Sequence, residues 1–153
     1  MHAPGGIQTP RARFDSGVRT VQTRLPRLAI VAHDGKKADL VAFATFNRSR
    51  LSEYELVATG ATGDLLREKV GLEVESVTPG PHGGDVQIAS RVVEGEVDAV
   101  IFLVDPLDKH PHDPDIQTLL RICNVRNVPL ATNIATADVL ISSPLLEGLR
   151  VAS

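Results

Sequence analysis

The residues of this chain that could do chemistry fall in five short runs. His33, Asp34 and Lys37 make the first, and Thr59-Gly60-Ala61-Thr62-Gly63-Asp64 the second. The third is Pro79-Gly80-Pro81-His82-Gly83-Gly84-Asp85. The fourth runs from Asp105 through His110-Pro-His112-Asp-Pro-Asp115, and Asn133 with Thr136 is the last. A lysine, threonine hydroxyls and backbone N–H groups at helix starts are the parts of a phosphate site. Several aspartates cannot all face a phosphate favourably, so at least one is assigned to proton transfer. A free aspartate, with a pKa of about 3.9, is a weak base in water. Burial against a glycine loop, or a neighbouring carboxylate, raises that value and makes the group useful. A histidine such as His112 can polarise a carbonyl as an oxyanion forms. Together these parts predict proton abstraction next to a carbonyl in a phosphorylated sugar fragment.

Each run also has a plainer reading. Asp85 follows three glycines and precedes an apolar-periodic run, the place of an N-cap. Thr59, Thr62 and Asp64 fit an ordinary helix start, and Lys37 a solvated helix lysine. His33-Asp34 fits a strand-end turn. The His110–Asp115 run offers imidazoles and carboxylates to a metal, but its prolines separate them by strained turns. The second run lacks the Gly-Lys-Ser/Thr ending of a P-loop, and no G-x-G-x-x-G follows the first strand.

The elements that must position these runs alternate. Residues 28–32 (Leu-Ala-Ile-Val-Ala) and 98–105, apolar between its terminal aspartates, are runs of strand length, suited to strands covered on both faces. Residues 55–58, 74–77 and 128–133 complete five expected strands. Helical spacing follows each: Leu40, Val41, Phe43, Ala44 and Leu51; Leu65, Leu66 and Val70, closed by Gly71; Val86, Ile88, Ala89, Val92 and Val93, stopped at Gly95; Ile116, Leu119, Leu120 and Cys123; and a last helix over about 136–141. Five alternations predict a doubly wound, five-stranded parallel sheet with helices on both faces. Every chemical run then falls at the carboxyl end of a strand, where open α/β sheets bind ligands. The loops at the opposite edge read as polar turns.

Composition bounds the rest. At 153 residues the chain has room for one domain. A hydrophobic share of 42% with 23% charged residues is that of a soluble globular protein. A net charge of −3 gives no global pull toward nucleic acid or an anionic membrane surface. Aromatic content of 3%, with no Trp, argues against base-stacking platforms. A single cysteine, Cys123, excludes a disulfide within the chain and fits a reducing, cytoplasmic setting. No apolar run reaches membrane-spanning length, and no signal peptide is seen. Residues 1–26 read as a disordered extension: Arg11, Arg13, Arg19 and Arg24 meet only one acid, Asp15, and no apolar period runs through them. The domain is expected over 27–153.

In their order, these motifs resemble the methylglyoxal synthase family. The segments that carry the resemblance are Val31-Ala-His-Asp-Gly-Lys-Lys37, Ala58-Thr-Gly-Ala-Thr-Gly63, Gly80-Pro-His-Gly-Gly-Asp85, Asp105-Pro-Leu107, Pro111-His-Asp-Pro-Asp115 and Ala131-Thr-Asn133. The resemblance implies a flavodoxin-like three-layer α/β/α fold without flavin. It implies conversion of dihydroxyacetone phosphate to methylglyoxal and inorganic phosphate, a glycolytic bypass, with no metal or organic cofactor. A homohexamer inhibited by phosphate is implied as well. By the same resemblance Asp85 is the general base and His112 the partner of the substrate carbonyl, with Asp34 and Asp115 also among the catalytic residues. His33, Lys37, Thr59, Gly60, Ala61, Thr62, Pro79 and Gly80 take the substrate- and phosphate-binding positions, and Asp105 one that shapes the site or subunit contacts. Two positions depart from the family: Ala61 replaces a threonine, and Pro79 a serine. A related sheet serves as a non-catalytic, anion-binding regulatory domain in larger enzymes. Such a domain needs the phosphate loops but not the base and the histidine.

Overall fold

A computed structural model describes residues 24–110, 113–143 and 146. Five strands form one sheet, all parallel: β1 (Arg27–Ala32), β2 (Glu55–Thr59), β3 (Val74–Val77), β4 (Ala99–Leu103) and β5 (Leu130–Ala131). Their order is β3-β2-β1-β4-β5, so the direction of winding reverses between β1 and β4. That reversal opens a crevice beyond the carboxyl ends of these two strands, the ligand position of doubly wound sheets.

The apolar runs become strands because both faces are covered. Leu28, Ile30 and Ala32 join Leu56, Ala58, Ala99, Ile101 and Leu103 in one core layer. Ala29 and Val31 join Val57, Val100 and Phe102 in the other. The two sets alternate along each strand, as the pleat requires. The first layer is closed by α1 (Lys37–Phe46), α2 (Arg48–Leu51) and α6 (Ile134–Ile141), through Leu40, Phe43, Leu51, Ala137 and Ile141, and by Leu66 and Val70 just after α3 (Gly60–Leu65). The second is closed by α4 (Gly84–Val93) and α5 (Asp113–Val125), through Ile88, Ala89, Val92, Ile116, Leu119 and Cys123. Three layers result, as expected. Val86 and Val93, which fit the helical pattern of α4, are 43% exposed and lie outside this core.

Several boundaries differ from the sequence reading. β5 is two residues long, because Pro129 has no N–H to give the ladder and contributes only its carbonyl, which accepts from Val100 N–H at 2.9 Å. α3 continues into a π-helical turn, Leu66–Val70, that ends at Gly71 in the left-handed conformation (φ 78°). Most of the expected N-terminal extension lies outside the described residues, but 24–26 belong to the folded body. The Pro26 carbonyl accepts from Glu55 N–H at 3.0 Å, and the Arg24 guanidinium grips Asp98.

Candidate active site

The chemistry-bearing runs meet at the carboxyl edge of the sheet, as the strand ends require. After β1 the chain turns through a short 3-10 segment, Asp34–Lys36. His33 stays buried at the strand end, with its N–H donating to Leu103 O at 3.1 Å. Its Nδ1 accepts from Asp105 N–H at 2.9 Å, which ties the β1 and β4 loops together. Asp34 is exposed and accepts from Lys37 Nζ at 2.6 Å; the same ammonium reaches the Ala32 carbonyl at 3.3 Å. That hydrogen bond and the lysine's charge hold the Asp34 carboxyl below the usual carboxylate range, with smaller contributions from His33 and His110.

Thr59 occupies the N-cap of α3, in extended backbone, yet its hydroxyl makes no capping bond. It lies 3.5 Å from the Thr62 hydroxyl, and both side chains are buried. The plainer reading of Thr59 as a helix cap therefore fails. Gly60 N–H points to Thr78 O at 3.4 Å. A Cβ on Gly60 would stand 3.0 Å from Pro79 Cγ, so the β2 and β3 loops are in contact there. Ala61 is exposed.

Pro79 leads into a second 3-10 turn, Gly80–His82, and its carbonyl accepts from His82 and Gly84 N–H at 2.9 and 3.1 Å. Gly83, with φ 104°, takes the N-cap position of α4. Asp85 thus sits one residue into the helix, not at its cap, and is 0% exposed. A buried carboxyl in a first turn faces the positive end of the helix dipole. Gly84 beside it lies directly against the Thr78 carbonyl and the Thr59 methyl. The β2 and β3 loops therefore close on each other at Gly84, next to Asp85.

Asp105 follows β4, with Oδ1 accepting from Leu107 N–H at 3.0 Å. Asp115 is half-buried in the first turn of α5. His112 and Pro111 lie outside the described residues. Asn133 is placed otherwise than the pattern of reactive types suggested: its Oδ1 caps α6 by accepting from Thr136 N–H at 2.9 Å. Among the described residues, no group of three or more His, Cys, Asp or Glu side chains could hold a metal ion, and no helix is long and apolar enough to cross a membrane. His110 is the residue that the motifs undervalued. It stacks on His33, and its only sequence signal was membership of the His-Pro-His run.

A family model described as the MGS-like domain matches residues 39–132. This chain belongs to the MGS-like family. Within the family it is 56% identical over 117 residues to methylglyoxal synthase of Cupriavidus pinatubonensis, covering 76% of this chain and 90% of that protein. With methylglyoxal synthase of Thermus thermophilus it shares 54% over 115 residues, 75% of this chain and 91% of the relative. The crystal structure of methylglyoxal synthase from Elizabethkingia anophelis superposes with a TM-score of 0.76 at 43% identity, covering 84% of this chain and 86% of the other. The domain also occurs inside a longer protein: an uncharacterised Synechocystis sp. protein is 55% identical over 114 residues, which make up 26% of its length.

Proposed function

We propose that this MGS-like chain is a methylglyoxal synthase, a lyase that converts dihydroxyacetone phosphate to methylglyoxal and inorganic phosphate. The observation that carries the reading is its 56% identity to a methylglyoxal synthase across 90% of that protein. In the proposed reaction Asp85 takes a proton from the hydroxymethyl carbon of dihydroxyacetone phosphate. The electron pair passes into the carbonyl to give an ene-diol(ate). The former hydroxymethyl oxygen then gives up its proton and forms the aldehyde C=O, and the double bond shifts toward the neighbouring carbon and expels phosphate. The enol left behind takes a proton at that carbon to become methylglyoxal. A carboxylate held away from water is a stronger base than one in solution, and the burial of Asp85 suits that task. His112 donates to the developing oxyanion. Lys37, the Thr59 and Thr62 hydroxyls and the backbone N–H groups of Ala61 and Gly80 bind the phosphate; Gly60, whose N–H turns to Thr78 O, and Pro79, with no N–H, shape the loops that hold it. His33 contacts the substrate, while Asp34 and Asp115 complete the catalytic set. Asp34 sets the position of the Lys37 ammonium through their 2.6 Å ion pair.

The wider reading places the enzyme in the cytoplasm as a homohexamer inhibited by inorganic phosphate, acting as a glycolytic bypass. Light scattering on the full chain, with and without phosphate, tests the assembly. The deciding experiment follows phosphate and methylglyoxal release from dihydroxyacetone phosphate by wild type and Asp85→Asn. Wild type is expected to form both products in equal amounts, and Asp85→Asn to lose at least about a thousandfold in kcat. A wild type that makes no methylglyoxal ends the reaction assignment. An Asp85→Asn enzyme of equal activity ends the assignment of the base.

A further inference from the structure

His110 has no part in the reaction as written, yet it is built into the site. Its ring stacks on that of His33, with centroids 3.6 Å apart and planes inclined by 25°. Phe102 meets the His33 ring edge-on, at 5.1 Å and 74°. The two imidazoles are also pinned by one residue's backbone. Asp105 N–H donates to His33 Nδ1 at 2.9 Å, and the Asp105 carbonyl accepts from His110 Nε2 at 3.3 Å. Asp105 is itself fixed by the bond from Leu107 N–H to its carboxylate and by close packing of that carboxylate on Gly35, where a Cβ would collide with it.

These contacts decide where the protons are. A ring nitrogen that accepts from an N–H presents a lone pair, so His33 carries its proton on Nε2. A carbonyl accepts only, so His110 also carries a proton on Nε2. Turning the His33 ring over would replace the Nδ1 acceptor facing Asp105 N–H with a C–H, and on the way the ring would have to swing out of its stack on His110 and its edge contact with Phe102. We infer that His110 is a positioning residue: given the methylglyoxal synthase reading, it clamps His33 as the Nε2–H tautomer and so fixes the hydrogen-bond donor that His33 offers the substrate.

The test uses the full chain, labelled with 15N at histidine, as wild type, His110→Ala and His110→Phe. Two-bond nitrogen–carbon-proton correlation spectra report the tautomer of each ring, and a dihydroxyacetone phosphate assay reports kcat and KM. In wild type His33 is expected as the Nε2–H form. In His110→Ala its signals should show mixed tautomers, with kcat down about tenfold and KM changed far less. His110→Phe keeps an aromatic ring on His33 and should restore the tautomer and bring kcat within about threefold of wild type. A wild-type His33 protonated on Nδ1 overturns the inference. So does a folded His110→Ala protein with unchanged His33 signals and kcat, or a His110→Phe protein that behaves like His110→Ala. If wild type makes no methylglyoxal, the reaction reading fails by itself, while the spectra still decide the clamp.

Discussion

Ala61 stands where the methylglyoxal synthase loop carries a threonine, and it is exposed at the entrance to α3. A hydroxyl there would donate one more hydrogen bond to a bound phosphate. Hydrogen bonds to charged groups contribute about 1.5–3 kcal/mol. Ala61→Thr is therefore expected to tighten inorganic phosphate binding by about tenfold or more in a calorimetric titration. Unchanged affinity would mean that another group already fills this position. Cys123 is the opposite kind of residue, buried in the layer under α5 and outside the site. Burial pushes its thiol up from 9.0 to about 11, because the thiolate is the form that loses its hydration. The unfolded chain releases this proton first. The thiol's contribution to stability is thus complete below pH 9.0 and is lost as pH rises to about 11. At neutral pH the native thiol should react with a disulfide reagent only as fast as the fold opens, and within seconds once denatured. Rapid native reaction would contradict its burial.

At the scale of elements, the β3–α4 junction shows how two adjacent glycines serve different needs. Gly83 has φ 104° and nothing within 4 Å of a would-be Cβ, so its requirement is conformational. Gly84 has no such requirement. It is tight because the Thr78 carbonyl and the Thr59 methyl occupy the space a Cβ would take. Gly84→Ala must push α4 away from β2 and β3, at a cost of about 1–3 kcal/mol. The same shift moves Asp85, the next residue, so activity should fall far more than stability. A thermal melt and an activity assay of Gly84→Ala together check this, and a variant that loses stability but keeps its rate would separate Asp85 from the junction. Sequence showed the junction as a turn before a helix, because glycine clusters mark such places whatever their reason. It did not show which glycine was packed, since that depends on Thr59, which comes from another strand. For the same reason Asp85 looked like a cap. Two residues separate the expected cap, Asp85, from the observed one, Gly83, and helix starts read from patterns are no sharper than that.

The whole molecule was legible where burial is two-sided. β1 and β4 lie in the middle of the sheet and read as unbroken apolar runs, and the five alternations placed every reactive run at one edge. β5 was overestimated at its start because Pro129 accepts from the neighbouring strand but has no N–H to donate. Contacts that close the fold across distance left no trace in the sequence. Arg24 was assigned to a disordered extension among other arginines, yet its guanidinium donates to both oxygens of Asp98, 74 positions away, at 2.6 and 3.0 Å. Asp98 is 0% exposed, and its Oδ2 also accepts from Arg27 N–H at 2.8 Å. The pair thus joins the entry of β1 to the entry of β4, at the edge of the sheet opposite the site. A buried pair adds little over an apolar one, but breaking it strands a charge, typically at about 3–5 kcal/mol. Arg24→Ala takes this guanidinium away from the buried Asp98, which keeps the Arg27 N–H. Its melting temperature should fall by roughly 6–20 °C for a chain of this size. Asp98→Asn, which removes the charge along with the ion pair and keeps an acceptor for Arg27 N–H, should fall by less. Because the pair lies at the far edge, kcat for dihydroxyacetone phosphate well below either melting point should stay within about twofold of wild type. Equal melting temperatures for wild type and Arg24→Ala would mean that Arg24 does not anchor the start of the sheet in solution.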